Sequence, residues 1–428
     1  MGKVTRHVLD NGMTVLLKEV HHAPIVSWWV MYRVGSRNER TGITGASHWV
    51  EHMLFKGTEQ FPPGYLDKAI DRLGGTWNAQ TFIDYTAYYE TLPAQHIDLA
   101  LRVEADRMIN ARFDPAEVAS QRTVIISERQ GSENSPMFWL GEEVQAAAFR
   151  VHGYHHEIIG DMIDLETMTR DDLYSHYRAH YMPNNAIAIA VGAFDTDEML
   201  AKIRSAYGAI PAGKSPNLFV RPEPPQNGER RVRVERPGSA SFLQFAYRAP
   251  GTSHDDFFAL EIIDSLLCGP GGMGGGGTDN KTSRLYKALV ETELTAGVYG
   301  DATPTIDPFL YTITMTLREG RTHEEVEAVF NHEIERLRAG DVIEAEIQRA
   351  KQQARALFAY SSERVTSQAM WLAWAELFAG YQWFESYLDR LHAVSLADVL
   401  RVANEVLRPQ NRVVGTFVPT KGEAEAAS

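Results

Sequence analysis

The chain has 428 residues, of which 44% are apolar and 23% charged. That is the composition of a globular protein with enough length for two to four domains at roughly 100–200 residues each, and it excludes long disorder, collagen-like repeats and a dominant coiled coil. The net charge of −14 argues against nucleic acid as a partner, because phosphate recognition needs a basic face, and favours cationic over anionic substrates. The single cysteine, Cys268, excludes an internal disulfide and a cysteine-based zinc site. No apolar run is long enough to span a membrane.

From the N-terminus, HVLDNGMTVLLKE reads as a hairpin turning at Asn11-Gly12. No signal-peptide apolar segment precedes it, so the compartment stays open between the cytoplasm and, if a leader is removed upstream, the periplasm. A strand, SWWVMYRVG, and a helix, GASHWVEHML, follow. The run TWNAQTFIDYTAYYETL, rich in β-branched and aromatic residues, reads as a strand. EVASQRTVIISERQGSENSP reads as a helix. A helix starting at Thr169 then ends before Tyr181-Met182-Pro183-Asn184-Asn185 and leads into the strand AIAIAVG. The proline-rich and polar stretch 211–230 reads as a linker between a domain at 1–210 and one at 231–428.

The second half echoes the first. Thr169, Asp172, Pro183 and Asn185 have counterparts Ser395, Asp398, Pro409 and Asn411, each 226 residues on. Ser or Thr followed three residues later by Asp is a helix-start signal, and Pro is a stop signal. SFLQFAYRAPG followed by FFALEIIDSLL repeats the strand–helix order of residues 27–54. Hairpins, helices and a closing strand in each half predict an α+β protein of two homologous domains, each a mostly antiparallel sheet with helices packed on one face.

The chemistry concentrates in His48-Trp49-Val50-Glu51-His52. Residues four apart share a helix face, so His48 and His52 can reach one metal ion, with Glu51 beside that face. Neutral imidazoles suit zinc, and zinc lowers the pKa of its water to about 7, where a carboxylate can take the proton and pass it to a leaving amine. This is the inverted H-x-x-E-H order. A catalytic zinc needs a third protein ligand, for which spacing alone leaves Glu117, Glu128 and Glu133 open.

The segments GASHWVEHMLFKGT, LGGTWNAQTFIDYTAYYETLP and QRTVIISERQ together resemble the pitrilysin/insulinase/mitochondrial processing peptidase family of zinc metallopeptidases. The resemblance covers nearly the whole chain and is to the short, zinc-bearing subunit type whose members pair two such chains. It implies a Zn2+-dependent endopeptidase acting on peptides or unfolded segments, with Glu128 as third ligand and Glu51 as general base and then acid. It also implies that the strand carrying Asn78 and Ala79 binds substrate as an added strand at a sheet edge. The alternative is a non-catalytic assembly subunit of the processing-peptidase type.

Two departures stand out. Where the family carries a Glu seven residues before the third ligand, this chain has Gln121, a neutral neighbour that can hydrogen-bond a ligand or water. Where single-chain members carry an Arg and a Tyr that hold the substrate carbonyl, it has Val290 and Gly297, with Tyr299 off register. Neither side chain can donate to an oxyanion. The resemblance therefore implies a heterodimer with a homologous zinc-free subunit that supplies the Arg/Tyr pair. Glu261, Asp264 and Ser265 stand in the second copy where His48, Glu51 and His52 stand in the first.

Other signals are discounted. GPGGMGGGG at 269–277 lacks the Gly before Lys281 that a phosphate loop needs, and reads as flexible. His21-His22 and His155-His156 read as surface or loop residues. AMWLAWAELFAGYQWFESYL reads as one buried amphipathic helix, and KGEAEAAS as a frayed tail.

Overall fold

The computed structural model describes residues 3–214, 220–270 and 281–420. Residues 215–219 of the expected linker, most of the glycine-rich run (271–280) and the tail at 421–428 lie outside the described residues.

The first half contains β1 (Val4–Val8), β2 (Thr14–Glu19), β3 (Ile25–Tyr32), α1 (Ala46–Leu54), α2 (Tyr65–Arg72), β4 (Thr76–Thr81) and β5 (Thr86–Pro93). It continues through α3 (Ile97–Asn110), α4 (Pro115–Glu133), α5 (Pro136–Ala148), α6 (Met162–Thr167), α7 (Arg170–His180), β6 (Ala186–Gly192) and α8 (Thr196–Tyr207). The second half contains β7 (Arg230–Pro237), β8 (Phe242–Ala249), α9 (Asp256–Leu267), β9 (Thr295–Ala302) and β10 (Phe309–Leu317). Five elements close it: α10 (His323–Arg338), α11 (Glu344–Ser361), α12 (Val365–Phe378), α13 (Gln382–Ala393) and α14 (Leu396–Val406), followed by β11 (Arg412–Thr420).

The expected α+β class and duplication are observed. One sheet has the order β1-β2-β6-β3-β5-β4, the other β7-β11-β8-β10-β9. In each, one pair is parallel (β2 with β6, β7 with β11) and the other pairs are antiparallel, so the second sheet repeats the first without its β1. The echo extends to single atoms. Thr169 and Ser395 both form capping boxes, with Asp172 and Asp398. Asn185 and Asn411 each donate a side-chain N–H to the carbonyl five residues earlier, at 2.9 Å and 2.8 Å.

By their contacts the residues form two compact units: 1–130, 156–221 and 362–384 in one, and 131–155, 222–361 and 385–428 in the other. Each sheet thus packs against a helix drawn from the opposite half of the sequence. In the first unit, Val26, Trp28, Val30 and Tyr32 of β3 face a core shared with α1, α3, α7 and α8. The alternate residues face α12, where Thr91 Oγ1 meets Thr366 Oγ1 at 2.7 Å and Lys18 reaches Gln368 at 2.8 Å. A strand buried on both faces reads as a continuous apolar run, as IVSWWVMY does. In the second unit α5 covers the sheet, and it lies so close that a Cβ at Gly415 would meet Val144 and Leu140.

Two segments break where single elements were expected. TWNAQTFIDYTAYYETL is a hairpin, β4 and β5, closed by a Phe82 N–H bond to the Tyr85 carbonyl. The long aromatic helix is α12 and α13, interrupted at Gly380, whose φ of 90° lies in the left-handed region. His156, expected near the surface, is buried, 3.8 Å from Glu39.

Candidate metal centre

The centre is built on α1. Its N-cap, Gly45, has a φ of 87°, and a Cβ there would sit 2.4 Å from the Ile159 carbonyl oxygen. Only glycine accepts both conditions. The start of α1 is held by two buried carboxylates. Glu39 accepts from the Gly45 N–H at 2.7 Å and from the Ser47 N–H at 2.6 Å. Asp164 accepts from the Thr44 N–H at 2.9 Å and its hydroxyl at 2.7 Å. Carboxyl oxygens at a helix N-terminus accept from N–H groups left unpaired there. Burial pushes the Glu39 carboxyl up to about 8, against the lowering effect of those two N–H groups. One face of α1 is fixed by Trp49, buried under the Arg122 guanidinium.

Helix α4 brings the third donor. Glu128 Oε2 lies 3.8 Å from His48 Nε2 and 3.6 Å from His52 Nε2. Among the described residues, these three form the one group of His, Cys, Asp and Glu side chains whose donor atoms all lie within 4.8 Å of one another. Glu117 and Glu133, which spacing left open, are outside it; Glu117 faces Lys56 at 3.8 Å. Gln121, seven residues before Glu128 and so on the same helix face, is buried, its Oε1 3.1 Å from His52 Nδ1. The neighbouring stripe, Arg122 and Arg129, anchors α4 to carbonyls at Met168 (2.6 Å) and Gly160 (2.7 Å).

The donor set fits zinc. Tetrahedral zinc with ligands at about 2.0–2.2 Å separates its donors by about 3.4 Å, close to the two distances above. Burial, and then the neighbouring His52, lowers the His48 pKa to about 3, which keeps that imidazole neutral with a lone pair free. Gln121 orients His52 from behind, as an outer partner of a metal-binding histidine does. His48 Nδ1 is buried without such a partner among the described residues.

Glu51 lies beside the donors, nine-tenths buried. Its carboxyl is raised by burial, while the Thr81 hydroxyl, donating to Oε2 at 2.6 Å, opposes the rise. Thr81 ends β4, so one hydrogen bond ties the strand of Asn78 and Ala79 to the carboxylate of α1. That strand is the sheet edge. Asn78 is exposed, Ala79 is half-buried, and the Ala79 N–H donates to Asn78 Oδ1 at 2.9 Å. Val290 closes a single π-helical turn at residues 286–290, and Gly297 and Tyr299 lie on β9, an edge of the other sheet.

Sequence reasoning missed Thr81, Glu39, Asp164 and the Arg122/Arg129 stripe. The stripe carried a signal, the same seven-residue spacing as Gln121 and Glu128. Glu39 and Asp164 carried none, because their partners are backbone groups brought in by the fold.

Comparison with known proteins gives the family. The model of the insulinase (peptidase family M16) domain matches residues 14–162, and that of the peptidase M16 inactive domain matches residues 167–354. The chain belongs to the M16 peptidase family. It is 27% identical to the zinc protease PqqE of Helicobacter pylori over 94% of this chain and 89% of that one. It is 26% identical to the mitochondrial-processing peptidase subunit beta of Blastocladiella emersonii, over 98% of this chain and 89% of that one. The crystal structure of a protease from Helicobacter pylori superimposes with a TM-score of 0.92 at 25% identity, covering 98% of this chain and all of that one. No helix among the described residues is long and apolar enough to cross a membrane.

Proposed function

We propose that this M16 family member is a zinc endopeptidase in which His48, His52 and Glu128 hold the metal and Glu51 is the general base and then the general acid. The observation that carries this reading is the convergence of His48 and His52 on Glu128, with Glu51 alongside and anchored by Thr81. Zinc bound there would supply Lewis acidity to a scissile carbonyl and acidify water at neutral pH. The chain's own groups do the rest. Burial leaves Glu51 a carboxyl of raised pKa, suited to accepting a proton from water and returning it to the leaving amine. Thr81 holds one of its oxygens, Oε2. The unpaired edge of β4, with Asn78 and Ala79, offers main-chain groups to an extended peptide, which suits a substrate recognised by its backbone. Gln121 positions His52 and, being neutral, takes no proton itself.

The duplication at 1–210 and 231–428, joined by 211–230, supplies this machinery once. Val290 and Gly297 offer no donor for the substrate oxyanion, so the reading includes a zinc-free homologous subunit that contributes an Arg and a Tyr. The test is cleavage of a fluorogenic peptide library by the zinc-loaded chain, with Glu51→Gln as control. Glu51-dependent cleavage by the chain alone supports the peptidase and removes the need for a partner. Cleavage that appears only with a co-purified homologue supports both parts. One zinc per chain without cleavage under either condition returns the non-catalytic assembly subunit.

A further inference from the structure

A cleft of about 380 Å³ lies between α11 and the second half of α13, within one compact unit. Its volume is within the range of small-molecule sites. From α11 it takes Gln348, Lys351 and Arg355, which recur at helical spacing on one face, and from α13 Asp389, Leu391 and His392.

The basic groups here are not explained by internal pairing. Lys351 is nine-tenths buried, and its ammonium makes one hydrogen bond, to the His392 carbonyl at 2.7 Å in the last turn of α13. That carbonyl is one of the unpaired acceptors at a helix C-terminus, so the bond fixes the direction of the ammonium. An ammonium has three N–H donors, and no carboxylate lies within ion-pair distance of this one among the described residues. Arg355, four residues on, is exposed and makes no hydrogen bond or ion pair among the described residues. Like charges four apart on a helix repel, so the pair does not serve the helix itself. The two acids of α11 are engaged elsewhere, Glu344 by Gln348 at 2.7 Å and Glu346 by Arg284 at 2.8 Å. Asp389 is the single carboxylate of the lining, exposed and facing two cations and a histidine. In a chain of net charge −14, this is a local positive field in a concave wall, which concentrates anions.

We infer that the cleft binds a small oxyanion, a carboxylate or phosphate headgroup, between Lys351 and Arg355. The Arg355 fork offers paired N–H donors to two oxygens, and Lys351 offers a fixed point charge from the floor. Gln348, one of whose amide N–H groups is taken by Glu344, lines the rim. The site is separate from the candidate metal centre and does not rest on the peptidase reading.

The test is isothermal titration of the full chain with inorganic phosphate and, separately, with succinate, on wild type, Arg355→Gln and Lys351→Met. The expected result is saturable binding of at least one anion, weakened tenfold or more by either substitution. Melting should rise by about 5–10 °C at an anion concentration near 100 times Kd, since that favours the folded state about 100-fold. Arg355 is exposed, so its variant keeps the test valid if Lys351→Met fails to fold. Response to phosphate alone or succinate alone identifies the headgroup. No binding of either anion by wild type, or equal binding by both variants, overturns the inference.

Discussion

Glu39 is the residue whose removal tests how the metal helix is held. In Glu39→Ala the Gly45 and Ser47 N–H groups lose their acceptor, and both hydrogen bonds are buried. A buried donor left without a partner costs about 1–3 kcal/mol, so two predict about 2–6 kcal/mol. Removing a carboxyl that burial itself disfavours offsets part of this, which leaves a net loss of about 2–4 kcal/mol. For a unit of this size that lowers the melting temperature by about 4–16 °C. Urea denaturation followed by circular dichroism measures the stability. A zinc competition titration against a chelator measures the site. His48 lies one turn from the freed N–H groups, so zinc binding should weaken about tenfold or more. Glu39→Gln retains one amide oxygen and should lose about half as much stability. A stability of Glu39→Ala within about 0.5 kcal/mol of wild type would refute the reasoning, because two buried donors cannot be orphaned at so little cost.

Three further outcomes are expected in the same compact unit. Glu51→Gln should lower peptidase turnover by about 10²–10⁴-fold while elemental analysis still finds one zinc per chain, since a proton-transfer group and not a ligand is lost. Gln121→Ala should weaken zinc binding about 10–100-fold in the same competition assay, because His52 loses the group that orients it. Arg107→Met should destabilise the protein by about 3–5 kcal/mol in urea titration, because the buried Glu90 and Glu104 carboxylates both pair with Arg107.

What the sequence disclosed and what it hid divide by range. The capping boxes at Thr169 and Ser395 depend on residues three apart, and the metal pair His48/His52 on residues four apart; both patterns are local and were legible. The hairpin between β4 and β5 was not. Its turn, Phe82 to Tyr85, holds no Gly or Pro, and Asp84 is buried 3.6 Å from Arg37 rather than exposed at a loop tip. The break at Gly380 was legible as a glycine but was overridden by the aromatic periodicity around it. Glu39 and the exchange of α5 and α12 between the two sheets are long-range facts. A buried Glu bonded to backbone N–H groups and an exposed Glu look alike in sequence. So do a helix that packs on its own sheet and one that packs on the other.

The second copy shows what the same framework becomes without metal ligands. On α9 lie Glu261 and Asp264, the residues that the sequence repeat aligns with His48 and Glu51, and burial pushes the Glu261 carboxyl well above its usual range, with Asp264 adding to the rise. Asp264 accepts the Tyr311 hydroxyl at 3.0 Å, and Cys268 is buried beside it. The backbone of β9 runs close against Asp264 and Cys268. A Cβ at Gly300 would lie 1.9 Å from Asp264 Oδ1 and 2.8 Å from Cys268 Sγ. At these positions Asp264 and Glu261 take tyrosine hydroxyls as partners, while the buried Ser265 hydroxyl has none among the described residues. Gly300→Ala should therefore destabilise the protein by about 1–3 kcal/mol, the range for forcing an extra carbon into a packed interior. Its zinc affinity should stay within about twofold of wild type, because sites that share no partners act independently. A Gly300→Ala protein of unchanged stability would refute the close packing of β9 on Asp264 and Cys268.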